Sequence, residues 1–238
     1  MAERECGVSR EGQLAQRIKR YEAASSYTLT PRSCLFIRVD GKAFHTFTRG
    51  CDRPFDQEIM DCMDYAMRCT ADEMQGFKLA YTQSDECTFV LTDFDTHQTQ
   101  GWFGYELNKV VSISASLFTA WFNDMWARGH ERGDVALFDS RAFIVPLDDA
   151  PNVFVWRQQD WHRNSVQMLA RAHYSHKQLL GLSVPSMHEM LHEKGINWAT
   201  DISKRERNGS FYVKGMGTIP EKLDYDAILS LIKPKDES

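Results

Sequence analysis

Three acids in this chain stand where two segments could bring them together: Asp40, which closes the apolar run CLFIRVDG, and the adjacent pair Asp85 and Glu86 in the polar stretch TQSDE. Carboxylates gathered at one sheet edge suit Mg²⁺, a hard ion that takes oxygen ligands and keeps positions open for phosphate oxygens. Two such ions acidify an attacking hydroxyl and neutralise a leaving pyrophosphate. The plainer alternative is that Asp40-Gly41 is a turn and Asp85-Glu86 a solvated hairpin tip. Bases that could hold a triphosphate follow: Lys42, His45, Arg53, Lys109 and Arg141. Each taken singly reads equally as solvated surface. Gly41 and Ala43 are small, so backbone N–H groups from 41 to 45 could approach phosphates as a nest. The chain contains no G-x-x-x-x-G-K-[ST] and no G-x-G-x-x-G, which argues against a P-loop or Rossmann site.

Two further patterns resemble metal motifs. His188 to His192 matches H-E-x-x-H, and Gly195 extends it, but Trp198 stands where a third ligand would come. Catalytic zinc wants three protein ligands. An amphipathic helix over 186–194, buried through Met187, Met190 and Leu191, is therefore the expected reading. Asp93-Phe94-Asp95 is expected to be a turn after a strand.

The elements that must position these groups are legible from periodicity. Residues 11–24 put Leu14, Ile18 and Tyr21 at helical spacing with Arg17, Lys19 and Arg20 outside, a basic-faced amphipathic helix. The run at 34–41 reads as a central strand. Residues 56–75 repeat apolar side chains at Ile59, Met63, Met67, Ala71 and Met74 before Gly76, a crossover helix with a stop signal. Short strands at 77–81 and 87–91 flank the acidic segment as a hairpin. A second long helix spans 104–127, and Ala136 to Val145 reads as a strand. This order, β-α-β-β-α-β, is the α+β ferredoxin-like arrangement used by polymerase palms and nucleotide cyclases. It sets the first strand beside the hairpin, so Asp40 and Asp85 can meet. Beyond Pro151 the expectation is a long helix to about His173, a short helix after Pro185 and an irregular tail, GSFYVKGMG.

Composition narrows the classes. The chain has 238 residues, 42% hydrophobic and 26% charged, which is globular and excludes collagen-like or disordered readings. Acids outnumber bases 33 to 28, so nucleic acid would need a local basic patch. The longest uncharged stretch, Val110 to Asn123, is too short to span a bilayer and reads as a buried helix. The charged start lacks a secretory h-region, so the expected compartment is the cytoplasm. The cysteines at 6, 34, 51, 62, 69 and 87 include no C-x-x-C and are read as reduced thiols.

Six blocks then occur in a telling order: RVDGKAFHTFTRG at 38–50, RPFD at 53–56, YTQSDE at 81–86, FDSRAF at 138–143, WRQQDWHRNS at 156–165 and GINW at 195–198. Together they resemble the tRNA-His guanylyltransferase family, most closely its bacterial and archaeal guanylyltransferase-like members, which extend RNA in the 3′-to-5′ direction on a polymerase-like palm. The resemblance implies that Asp40, the Gly41 carbonyl and Asp85 hold two Mg²⁺ ions, with Glu86 supporting. It implies that Lys42, Ala43, Phe44 and His45 lie along a nucleoside triphosphate, that Arg53 and Asp56 meet the incoming base, and that Lys109 and Arg141 lie near phosphate. Ser84 completes the S-D-E block, and the helix carrying Arg157, His162, Arg163 and Asn164 would face the end of the tRNA. ATP or GTP would serve as activating and incoming nucleotides, tRNA as partner, and a homotetramer as the assembly.

Two departures matter. Members dedicated to tRNA-His carry His-Ile-Asn-Asn where this chain has His162-Arg163-Asn164-Ser165, and Arg53 replaces the usual lysine. Templated repair of 5′-truncated tRNA is the alternative to tRNA-His guanylylation. The expected organisation is a palm-like catalytic region at 1–150 and a helical, tRNA-facing region at 151–238. The rival classes are a nucleotide cyclase-like palm enzyme, which needs no RNA, and a non-enzymatic RNA-binding module using Arg157, Arg163 and Arg171.

Overall fold

The computed structural model describes residues 10–130 and 135–234. In chain order its elements are α1 (Arg10–Ala23), β1 (Cys34–Gly41), the short α2 (Phe44–Phe47), α3 (Gln57–Asp72), β2 (Phe77–Gln83), β3 (Glu86–Leu91), α4 (Leu107–Trp126) and β4 (Phe138–Val145). There follow α5 (Ala150–His173), α6 (His176–Leu179), α7 (Val184–Glu193), α8 (Trp198–Asp201), α9 (Lys204–Asn208), β5 (Ser210–Val213), β6 (Gly217–Ile219) and α10 (Tyr225–Ile232). A 3₁₀ turn, Trp102–Tyr105, leads into α4.

The strands form one antiparallel sheet in the order β4-β1-β3-β2-β5-β6. β1 and β2 run parallel but are held apart by β3, so the β-α-β connection through α3 is split. Alternation along β1 decides the layers. Leu35, Ile37 and Val39 face α3 and α4, where they meet Met63, Met67, Val110, Phe118 and Phe122. Cys34 and Phe36 face the other way, against Phe154 of α5 and Ile228 of α10. The sheet is covered on both faces, and each fully buried side chain of this size contributes about 2–3 kcal/mol.

Local chemistry sets the helix bounds. Asp56 caps α3, accepting from the Ile59 N–H at 3.0 Å. Gly76 follows with φ +79°, and a Cβ there would lie 2.2 Å from the Thr92 carbonyl oxygen, so only glycine fits the turn into β2.

The sequence expectations are corrected at four places. The segment expected as an irregular tail contains β5 and β6, a hairpin that extends the sheet beside β2. Ala136 precedes β4; it is docked on α4 instead, its N–H donating to Asn123 Oδ1 at 2.9 Å. The apolar stripe of α1 is not buried against the described residues: Leu14 and Ile18 are about half exposed and Tyr21 more so. The β2–β3 turn is only two residues, Ser84 and Asp85, because both strands continue to Gln83 and Glu86.

Of the cysteines, the described five are free thiols, and Cys6 lies outside the described residues. Burial pushes Cys34 up to about 11 and Cys62 up to about 12, which keeps both protonated. Asp93 is a strut: both its oxygens accept the Arg32 N–H at 2.9 Å, and Asp95 pairs with Lys78 at 2.6 Å. Helix α7 packs through Met187 and Leu191, and the His188 ring rests against Trp198 and His162.

Candidate active site: an acidic sheet edge between two clefts

The β1–β3 register places Asp40 opposite Glu86, and the Gly41 N–H donates to the Asp85 carbonyl at 3.0 Å. The three expected acids therefore do meet, but in different surroundings. Glu86 is enclosed and neutralised: Arg157 Nε lies 2.7 Å from Oε1, Arg157 Nη2 donates to Oε2 at 3.0 Å, and Arg38 stands 3.9 Å away. Burial raises the Glu86 carboxyl above its ordinary value, and Arg157 opposes the rise.

Asp85 has no such partner. Its side chain accepts from the Ser84 hydroxyl at 2.9 Å. Burial pushes its carboxyl up; the Ser84 hydroxyl and its own backbone work against this, the charge of Asp40 adds to it, and neighbouring His45 opposes it. Asp40 is more open, with Arg141 Nη2 3.8 Å from it and 3.2 Å from Asp139. Two oxygen-bearing acids close together, one of them part-buried and in no ion pair among the described residues, make a donor set that fits a divalent hard ion. No group of three His, Cys, Asp or Glu side chains is placed for a metal among the described residues. The set is thus two carboxylates and backbone carbonyls, which suits Mg²⁺ carrying substrate phosphates rather than a closed protein cage.

The backbone around the acids is tightly constrained. Ala43 (φ +50°) and Ser84 (φ +49°) both occupy the left-handed region that non-glycine residues avoid, one on each side of the acidic centre. Phe44 lines the larger cleft and also anchors it: its ring is 6% exposed and packs on Phe47, Phe122 and Phe138. The expected backbone nest is also shorter, since the Gly41 and Lys42 N–H groups are used by Asp85 and Leu137 carbonyls.

Two clefts open at this edge. The larger, about 590 Å³, runs past Ala43, His45, Arg53, Asp56, Ser84 and Asp85. The smaller, about 350 Å³, lies between Asp40, Glu86 and α5, with Asn164 on its wall. They share Gln83, Ser84, Asp85, Trp161, Met168 and Arg171. Most of the residues expected to meet nucleotide thus line the larger cleft. Asp56 lines it but is occupied, since Oδ2 accepts the Asp52 N–H at 2.8 Å while Oδ1 caps α3. Lys42 is exposed beside the centre and lines neither cleft. Lys109 lies on the exposed side of α4, 3.8 Å from Glu106, and is not brought to either cleft.

On α5 the expected RNA face is divided. Arg157 is 7% exposed, pairs with Glu86 and Asp160, stacks on Trp156 and lines the smaller cleft, so it acts as a strut between α5 and the hairpin tip. Arg163 is exposed and bound to Asp160, and Asn164 donates to the same carboxylate at 3.3 Å. His162 packs edge-on to Trp198. The sequence reading passed over Gln83, Trp161, Met168 and Arg205 as cleft residues and named Arg171 only as a base of the RNA-binding alternative. The spacing of Trp161, Met168 and Arg171, seven and three residues apart, was the available signal for one helix face.

The sequence profile described as tRNAHis guanylyltransferase matches residues 15–146. The tRNA(His) guanylyltransferase of Schizosaccharomyces pombe is 29% identical over 225 residues, covering 88% of this chain and 81% of that protein. The solved structure of a bacterial tRNA(His) guanylyltransferase-like protein in complex with ATP is 38% identical, with TM-score 0.84, covering 91% of this chain and 94% of that one. A bacterial tRNA(His) guanylyltransferase-like protein in complex with GTP is 36% identical, with TM-score 0.75 over 84% of each chain.

Proposed function

From the premise that this chain belongs to the tRNAHis guanylyltransferase family, and is thus a nucleotidyltransferase adding nucleotide to the 5′ end of tRNA, we propose that the Asp40–Asp85 edge is its reaction centre. The observation that carries this is the pairing of two unlike acids, one open and one part-buried with no ion-pair partner among the described residues, at the junction of two clefts. The β1-α3-β2-β3-α4-β4 unit serves as a polymerase-type palm, and the region from residue 151 onward as the tRNA-facing part.

Asp40, Asp85 and the Gly41 carbonyl would hold two Mg²⁺ ions. When bound, Mg²⁺ supplies charge neutralisation of phosphates and acidification of the attacking hydroxyl. The chain's own residues do the rest. Arg53 in the larger cleft and Arg171 between the clefts form no ion pair with any described residue, so their charge is free for phosphate, and His45 lines the larger cleft as a further hydrogen-bonding group. The Glu86–Arg157 pair holds the hairpin tip against α5 and so fixes Asp85 relative to Asp40. Preorganised charge of this kind supplies most of the stabilisation in phosphoryl transfer.

The sequence of reactions has two steps. The 5′-monophosphate of the tRNA attacks the α-phosphate of ATP, releasing pyrophosphate and leaving an adenylylated end. The 3′-hydroxyl of a nucleoside triphosphate then displaces AMP, so that the new 5′ end carries the triphosphate. The ATP and GTP complexes of the similar structures support both nucleotide roles. The added base is chosen by pairing with the opposite strand. The working assembly is a cytoplasmic homotetramer, for which the exposed stripe of α1 offers apolar contact surface. Sequencing the 5′ ends of truncated tRNAs incubated with enzyme and four NTPs tests this reading: added nucleotides support it, and unchanged ends with consumption of NTP alone contradict it.

A further inference from the structure

Gln83 closes β2 and is 5% exposed. Its register partner is Glu86, whose own partner on β1 is Asp40, so the three side chains form a row on one face of the sheet ending at the acidic centre. Both clefts reach Gln83. Its Oε1 is enclosed and accepts no hydrogen bond from any described residue, whereas Glu86 has Arg157 and Asp85 has the Ser84 hydroxyl. A buried amide oxygen without a donor is costly, and such groups call for a partner absent from the chain itself.

The missing partner must donate. Phosphates and carboxylates have no proton to offer here, whereas the base and the ribose of the incoming nucleotide do. Templated addition takes four bases that present no common donor. The 3′-hydroxyl must surrender its proton to attack, and a neutral amide cannot take it. The neighbouring 2′-hydroxyl keeps its proton and lies beside the nucleophile.

The geometry points to Gln83 as the residue that selects ribonucleotides, its Oε1 accepting from the 2′-hydroxyl of the nucleotide being added; this rests on the nucleotidyltransferase reading above. The contact orients the ribose so that the 3′-hydroxyl faces Asp40 and Asp85.

The test uses 5′-adenylylated tRNA lacking its first nucleotide, which bypasses activation, and compares kcat/KM for GTP, 2′-deoxy-GTP, 2′-fluoro-GTP and 2′-amino-GTP. All four keep the 3′-hydroxyl. The deoxy and fluoro analogues, which lack a donor, should fall about tenfold below GTP, while the amino analogue stays within about threefold. Gln83→Leu should level the series, chiefly by lowering GTP. Equal use of GTP and 2′-deoxy-GTP by the wild type, or an unchanged ratio in the variant, overturns the assignment. If the variant does not fold, the wild-type series decides: 2′-fluoro-GTP performing as well as GTP overturns it. If the wild type extends no tRNA, the functional reading has failed on its own. Equal affinity for ATP and 2′-deoxy-ATP would then overturn the role of Gln83, and tighter binding of ATP would uphold it.

Discussion

Arg157 Nε lies 2.7 Å from Glu86 Oε1, joining the middle helix of one face to the strand that carries the acidic tip. Both side chains are nearly enclosed. Removing Arg157 leaves the enclosed Glu86 with only the more distant Arg38, at 3.9 Å, a weaker compensation that costs up to about 3–5 kcal/mol. Arg157→Leu should therefore lower the urea midpoint sharply, and Arg157→Leu with Glu86→Leu should recover most of the loss. A variant of Arg157 alone with wild-type stability and weaker tRNA binding would show that the arginine serves RNA instead.

Gly41→Ala tests how closely the two acidic segments must approach. A Cβ at Gly41 would fall 2.6 Å from Phe44 Cδ2 and 3.0 Å from Asp85 Cβ. Phe44 cannot swing aside, because Phe47, Phe122 and Phe138 enclose its ring. Overpacking of this kind costs about 1–3 kcal/mol. Denaturant titration should read that loss, and the rate of nucleotide addition should fall more than about tenfold as Asp85 is displaced from Asp40. Unchanged stability and rate would contradict the contact.

Much of this edge was legible in the sequence because it depends on local patterns. The apolar run ending at Asp40, the 3.6 period of 56–75 and the β-prone segments around Asp85 fix strand order, and strand order brings the acids together. What escaped is long-range or compositionally faint. Arg157 and Glu86 are 71 residues apart, and nothing in the sequence marks one as the other's partner. The β5–β6 hairpin is only four and three residues long and sits among glycines, so no alternation could develop. Asp56 before an apolar-periodic run is a readable N-cap, a role that its place on the larger cleft adds to.

The H-E-x-x-H segment should behave as structure. Burial holds both His162 and His188 below the ordinary imidazole value, aided by neighbouring positive groups. A depressed pKa means the unfolded chain binds more protons, so stability is intact above about pH 6.5 and is lost as pH falls below it. In melts at pH 7, 6 and 5, His188→Gln should lose less on acidification than the wild type, with addition at neutral pH nearly unchanged. Stoichiometric zinc in protein purified without added metal, and lost in this variant, would contradict it.

Ser165 lines neither cleft. It is fully buried; its hydroxyl donates to the His162 carbonyl at 3.1 Å and accepts from Trp198 Nε1 at 3.2 Å. Ser165→Asn should therefore cost about 1–3 kcal/mol by overpacking without switching base choice. With truncated tRNAs offering each of four template bases, wild type and variant alike should add C, U, A or G opposite G, A, U or C. Addition of G whatever the template, in either protein, would contradict template control.

The most direct measurement is 5′ extension of truncated tRNA by Asp85→Asn beside the wild type, each with its stability in the absence of metal. Asp85 has a raised carboxyl pKa, so through that range the native state holds more protons than the unfolded chain and stability falls as pH rises. Removing the charge should leave the metal-free protein at least as stable at neutral pH, while extension falls at least about a hundredfold. A folded Asp85→Asn protein that extends tRNA at near the wild-type rate would contradict the placement of the reaction at Asp40 and Asp85.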